Sequence, residues 1–229
     1  MDFPIQIYGS IRITDNITIY ITETLLVTWI IISVLAVLAI IVNIMSKKWE
    51  AMTKPTGVQN FAEMAVGTFD NFFKSSSSKK VLYLAPWFFT VFVFILISNM
   101  IGLIGLRPPT ADWGMTFPLA ASSFLLFQFA GLWHRPKGYL KSFFEPNFLF
   151  LPLNLLGEIA KPIALSFRLF GNVLAGVILI SLLYGMAPIF FRFGFPVFLH
   201  AYFDIFSGIL QAFVFTVLSI TFVGLAAES

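Results

Sequence analysis

Residues 24–46 carry no charged side chain, and the same holds for 81–106 and 116–133. About 20 apolar residues wound as a helix match the hydrocarbon thickness of a bilayer. These three runs therefore predict three membrane spans. Two further apolar stretches, 148–184 and 197–227, flank the sequence GMAPIFFRFGFP. Each is about 30 residues or more, too long for an upright span, so each must tilt steeply or bend. Together they predict a hairpin of two long, strongly tilted helices. Before the first span, residues 3–22 alternate Ile with polar residues. This period of two predicts extended segments outside the membrane, with turns at Gly9 and Ser10 and at Asp15 and Asn16. Between the first two spans, Val58, Phe61, Ala65, Phe69 and Phe72 recur at helical spacing, while Gln59, Glu63 and Asp70 fall elsewhere on the wheel. That pattern predicts an amphipathic helix over 58–73 lying along the interface. KSSSSKK behind it reads as a short flexible connector.

The fold class is thus an all-α membrane protein of about five membrane-embedded helices plus one interfacial helix. The chain divides into an extracytoplasmic segment (1–23), a first span (24–46) and a cytoplasmic loop (47–80). The second and third spans (81–134) and the tilted hairpin (148–229) follow. Composition agrees: 59% of the 229 residues are hydrophobic and 11% are charged, against about 25% charged in a soluble domain. The mean hydropathy is +0.91. A β-barrel would show short alternating strands instead of long unbroken runs. With no cysteine in the chain, disulfides, cysteine-held metals and iron–sulfur clusters are excluded. MDFPIQIYGS has neither a basic n-region nor an apolar h-region, so no cleavable signal is expected.

Charge sets the orientation. Lys47, Lys48, Lys54, Lys74, Lys79 and Lys80 share one loop, and Arg135, Lys137 and Lys141 another. The positive-inside rule places both loops in the cytoplasm, with the N-terminus outside and the C-terminus cytoplasmic. Arg107, in an outer loop, departs from the bias. Basic residues clustered between apolar runs belong to membrane loops, so the net charge of +3 does not indicate nucleic acid.

The last ninety or so residues concentrate polar groups where lipid is least tolerant of them: Asn154, Glu158, Lys161, Arg168 and Asn172, then His200, Asp204, Ser207 and Gln211. On a helix, Lys161, Ala164, Arg168, Gly171, Asn172 and Ala175 share one face. Its small residues admit another helix at close range. A guanidinium cannot shed its proton to escape an apolar setting. His200, Asp204, Ser207 and Gln211 line up at steps of four, three and four as a polar stripe. Simpler roles compete: an Arg168–Asp204 salt bridge, interhelical hydrogen bonding along the stripe, an interfacial His200, and a snorkelling Lys161 paired with Glu158. Arg168 and Asp204 together point to an ion pathway, the usual role of intramembrane ionisable groups. No residue pattern indicates a metal, a cofactor or a nucleotide site.

KPIALSFRLFGNVLAG, followed some forty residues later by ILQAFVFTVLSITFVGLA, resembles subunit a of the F-type ATP synthase. ITETLLVTWII and ISNMIGLIGLRPPTADWGMTFPLA extend the resemblance over nearly the whole chain. It implies a stator subunit with no catalytic site of its own, in a bacterial inner membrane. It also implies a c-ring, the b subunits of a peripheral stalk and the rest of the synthase as partners. Under it, Arg168 is the stator arginine facing the ring carboxylates. Asn172 and Gln211 are its polar companions, Asn99 belongs to the outer half-channel, and Lys161 is the lysine before the proline. Asn154, Glu158, Ser207 and His200 are candidates for half-channel lining. The family often pairs a carboxylate with a histidine at positions held here by Val177 and Asp204. On that basis Asp204 alone is expected to supply the titratable group at that level. The rival class is a secondary transporter with a mid-membrane site, but such folds show internal repeats and the two halves of this chain show none.

Overall fold

The computed structural model describes residues 7–14, 17–47, 49, 57–186 and 196–228. Asp15 and Asn16, Lys48, Lys54, and residues 187–195 with Arg192 lie outside the described residues. Five helices are long and apolar enough to cross a membrane.

Strands β1 (Ile7–Thr14) and β2 (Ile17–Thr22) form an antiparallel hairpin that runs directly into α1 (Glu23–Ser46). Gly9 and Ser10, expected in a turn, are paired within β1 opposite Ile21 and Tyr20. A register shift between Ile7 and Gly9 absorbs the irregularity there, as a bulge does in a twisted two-stranded ribbon. α2 (Gly57–Ser76) covers the expected amphipathic segment. Its apolar contacts come from the second half, through Phe69 and Phe73; in the first half Gln59, expected on the polar side, is buried, whereas Val58, Phe61 and Met64 are exposed. The expected flexible connector is mostly structured. Lys74 to Ser76 belong to α2, and Ser78 caps a 3₁₀ turn over Lys79–Leu84, because a serine hydroxyl satisfies a free N–H at a helix start.

α3 (Ala85–Met100) places Pro86 in its first turn, where no intrahelical N–H is lost. It ends in a 3₁₀ turn, Ile101–Ile104. α4 (Trp113–His134) is capped by Asp112, whose carboxylate accepts from the Gly114 N–H. The segment after it, expected as a loop, contains the short helix α5 (Pro136–Ser142). α6 (Leu151–Met186) is continuous over 36 residues despite Pro162. At 1.5 Å per residue it is about 54 Å long, well beyond a hydrocarbon core near 30 Å. α7 (Pro196–Glu228) contains a π-helical stretch, Ala201–Ser207.

The two ends of the bundle are tied differently. At the hairpin end, Glu23 accepts from the Arg107 N–H, and Thr24 donates to Asp112. At the α5 end, Lys80 Nζ donates to the Ala227 carbonyl, and Arg135 donates to that of Glu228. Cations there satisfy the free carbonyls of a helix C-terminus and complement its dipole. Two apolar clusters fill the interior. One, near the α5 end, joins Phe73, Val81, Phe88, Phe127, Tyr139 and Val223. The other, midway, joins Ile95, Ala120, Leu165, Leu169 and Phe215. α7 threads both.

Candidate functional site

The site is organised by the antiparallel pairing of α6 with α7. Ser207 donates to Asn172 Oδ1 at 2.9 Å, and the Phe203 ring packs on Gly176. These contacts set Asp204 at the level of Ala175 and Gly176. That is about 11 Å along the axis from Arg168.

Pro162, Leu165, Ser166, Leu169 and Gly176 form the buried face of α6; Ala164, Arg168, Gly171 and Ala175 are exposed. Arg168 thus stands on a strip of small residues facing away from the bundle. It makes no hydrogen bond and no ion pair among the described residues, so the alternative Arg168–Asp204 salt bridge is not formed. The expected six-residue face divides. Lys161 and Asn172 sit at its edge and turn toward the protein: Lys161 pairs with Glu158, and Asn172 binds Ser207.

Asp204 has a partner after all. His200 Nδ1 lies 2.6 Å from Asp204 Oδ2, with side chains 30% and 13% exposed. Asp204, expected to be the titratable group at that level by itself, thus has a second ionisable side chain beside it. The two residues are four apart on one helix and meet on its surface. Asp204 also rests on Gly102. A Cβ at residue 102 would stand 3.1 to 3.2 Å from all three carboxyl atoms, so only a glycine leaves the carboxylate undisturbed there. Two more of the expected site residues are enclosed. Gln211 is buried and its Nε2 finds no acceptor among the described residues. Asn99 is buried between two partners: its Nδ2 donates to the Gly208 carbonyl at 3.0 Å, and its Oδ1 accepts from Thr110 at 2.7 Å. Asn99 therefore locks α3 to α7 directly behind the π-helical stretch.

Towards the α5 end, Glu158 and Lys161 form an ion pair one helical turn long. The ammonium also stands 5.4 Å and 5.3 Å from the Phe127 and Phe222 ring centres, an arrangement that stabilises a cation taken out of water. A cavity of about 310 Å³ opens beside the pair, lined by Ser142, Phe143, Leu153, Asn154, Gly157, Glu158 and Lys161. Asn154 donates to the Phe143 and Glu145 carbonyls at 3.0 and 2.9 Å and so holds the far wall. The cavity is wide enough for water and polar enough to keep it. Two residues absent from the sequence-based candidates join this cluster. Gln128 Nε2 donates to Glu158 Oε2 at 3.4 Å, and Tyr139 donates to Gln128 Oε1 at 2.6 Å. Burial and the nearby Glu158 carboxylate push the Tyr139 phenol up to about 12, with the Gln128 hydrogen bond acting in the opposite direction. Among the described residues no group of acidic, histidine or cysteine side chains is placed to hold a metal ion.

The structure thus presents an exposed arginine at mid-helix, with Asp204 towards one end of the bundle and Glu158 towards the other. The family profile described as ATP synthase A chain matches residues 25–224. The chain belongs to that family. Similar proteins include "ATP synthase subunit a 2" of Acaryochloris marina, 32% identical over 90% of this chain and 85% of the relative. The sodium-ion-specific ATP synthase subunit a of Propionigenium modestum is 34% identical over 89% and 73%. ATP synthase subunit a of Acidothermus cellulolyticus is 34% identical over 88% and 79%.

Proposed function

We propose that this chain is the membrane stator subunit of a rotary F-type ATP synthase, carrying a monovalent cation, H⁺ or Na⁺, between two offset half-channels and the carboxylates of a c-ring. The observation that carries the reading is Arg168. A guanidinium at mid-helix costs several kcal/mol if it faces lipid, and this one has no internal carboxylate among the described residues to offset that. Its small-residue strip suits a partner helix passing at close range. A ring carboxylate arriving there would meet a cation and lose its bound ion, since an adjacent positive charge favours the ionised form. Arg168 would also bar a direct leak between the two paths, because like charges repel strongly at low dielectric.

In this reading the His200–Asp204 pair belongs to the outer path and the Glu158 cavity to the cytoplasmic one. Asn172, Ser207 and Gln211 line the space between Arg168 and the outer pair, and Asn99 supports it from behind. Asn154 and Lys161 border the cytoplasmic cavity. The orientation rests on the lysine-rich loops, which put the α5 end inside and the N-terminus outside, in a bacterial inner membrane. Catalysis of ATP formation falls to the complex's other subunits, and the b subunits hold this one against the turning ring.

The test is ATP synthesis driven by an imposed ion gradient in membrane vesicles bearing the complex. Arg168→Ala should assemble and lose synthesis completely. Near-normal synthesis by an assembled variant would refute the reading.

A further inference from the structure

The Glu158 carboxylate on the cavity wall is braced from behind by two residues that do not line the cavity, Gln128 and Tyr139. Glu158 has its oxygens divided between two donors on different elements. Oε1 faces Lys161 on its own helix, and Oε2 accepts from Gln128 on α4. Gln128 in turn is held by Tyr139 of α5. An amide side chain has two ends of opposite hydrogen-bonding sense. Because the phenol donates to Oε1, Nε2 is the end turned toward the carboxylate. The phenol keeps its proton for this purpose far into the alkaline range.

The position of Tyr139 is fixed by α4 itself. A methyl group at Gly131 would stand 2.6 Å from the Tyr139 ring, so the ring lies directly on the helix backbone. Tyr139 is 6% exposed and sits in the apolar cluster at this end. The relay therefore runs from a rigid anchor to the one carboxylate on the cavity wall. Other side chains facing Glu158 do not duplicate it: α7 contributes Phe222, which engages Lys161, and the Lys141–Glu145 pair is exposed.

We propose that Gln128 and Tyr139 are positioning residues that hold the Glu158 carboxylate against the cavity, so that the cavity presents a fixed negative potential to an incoming cation. The proposal rests on the reading of this cavity as the cytoplasmic path, which deepens that reading by naming what keeps its charge in place. Without the brace, Glu158 would be free to fold onto Lys161 alone. The cavity would then face the pair's dipole instead of a held carboxylate oxygen.

The chain has no cysteine, so an introduced thiol is the only one in this subunit, and the complex without it supplies the labelling background to subtract. Gly157 lines it, and a Cβ there meets nothing within 4 Å. In the assembled complex, Gly157→Cys is modified with a cationic and with a neutral methanethiosulfonate, and the ratio of the two rates reads the local potential. The expected ratio favours the cation, by about threefold or more in a focused negative cleft. Glu158→Gln should abolish the preference. Tyr139→Phe, which keeps the ring on Gly131, and Gln128→Leu should each lower it toward the Glu158→Gln value. Adding either to Glu158→Gln should change nothing further. An unchanged ratio in both Gln128→Leu and Tyr139→Phe overturns the brace, and so does an unchanged ratio in Glu158→Gln. The labelling needs no ion-driven turnover, so it stands apart from the Arg168→Ala test. In parallel, Gln128→Leu should slow gradient-driven synthesis roughly tenfold, the scale of one lost hydrogen bond to a charged group. A dead Arg168→Ala with a normal Gln128→Leu rate and ratio would leave the function standing and remove the brace.

Discussion

The hairpin end and the α5 end of the α6–α7 pair both carry a half-buried carboxylate, yet they hold it by different means. Asp204 is partnered within its own helix by His200, and its other side rests on bare backbone at Gly102. Glu158 is partnered across three elements, by Lys161, Gln128 and, through Gln128, Tyr139. The first arrangement pairs a carboxylate with an imidazole, whose ring nitrogens can donate or accept a hydrogen bond. The second pairs it with an ammonium, which only donates. A site that must pass a proton or ion onward gains from a partner that can do both. A site that must attract a cation into a water-filled cavity gains from a carboxylate held in place. The local structure follows the same division. Asp204 sits in a π-helical stretch, a distortion often found at functional positions, whereas Glu158 sits on regular helix beside a cavity of about 310 Å³.

The largest effect belongs to the residue between the two ends. Arg168→Ala should abolish ion-driven synthesis with the subunit still incorporated, because Arg168 holds no other described side chain in place. Arg168→Lys should restore little. An ammonium lacks the planar fork and loses its proton when desolvated. Incorporation by immunoblot and synthesis by luminescence, on the same membranes, measure both. Substantial synthesis by the lysine variant would show that any cation suffices there, and the argument for a guanidinium would fall.

Next come the members of the hairpin-end pair. Asp204→Asn keeps the shape and should slow gradient-driven synthesis by about tenfold or more, on the scale of a lost general acid–base group. His200→Ala should give a smaller loss. Combining the two should cost little beyond Asp204→Asn, since both would have removed one function. Fully multiplicative losses would mean that the 2.6 Å contact has no functional coupling. Gly102→Leu sharpens the same point from the other side: the added side chain must displace the Asp204 carboxyl and should reproduce much of the Asp204→Asn defect. Wild-type rates in an assembled Gly102→Leu complex would mean that the seat has no consequence.

The sequence disclosed the spans well because a bilayer imposes one simple requirement, a long apolar run, and all five runs became helices. It also singled out Arg168, a permanent cation framed by glycine and alanine within an apolar run. The stripe on α7 was legible as a set and not in its parts. Periodicity alone cannot say that Asn99 and Gln211 are enclosed while Asp204 meets His200, since that depends on where α3 and α6 lie. The spacing of four between His200 and Asp204 is compatible with their contact, but a position near a helix end points equally to an interfacial side chain. Gln128 left a faint signal, a lone amide in the third apolar run. Tyr139 left none, because its role is fixed by contact with Gly131 on another helix. α2 shows the opposite failure: helical periodicity names Val58 and Phe61, which are exposed, and sets Gln59 on the polar side, yet Gln59 is buried along with Phe69 and Phe73, because tertiary packing decides which face is covered.

The smallest effect concerns stability at the α5 end and has a defined pH window. Tyr139 is raised from 10.0 to about 12, chiefly by burial and then by the Glu158 charge. In the unfolded chain the phenol ionises near pH 10, whereas in the folded protein it stays protonated to about 12. The folded state therefore binds the extra proton, and its contribution is complete below pH 10 and is lost as pH rises toward 12. A shift of this size corresponds to at most about 3 kcal/mol. Tyr139→Phe lacks the titrating group and the hydrogen bond to Gln128. The purified complex should be more heat-resistant with tyrosine than with phenylalanine near pH 8, and the difference should shrink steadily above pH 10. Melting followed at pH 8, 9, 10 and 11 for both proteins, in one detergent and at one ionic strength, measures it. A gap that stays constant to pH 11 would mean that the phenol titrates alike in both states and that the Tyr139 pocket does not hold its proton.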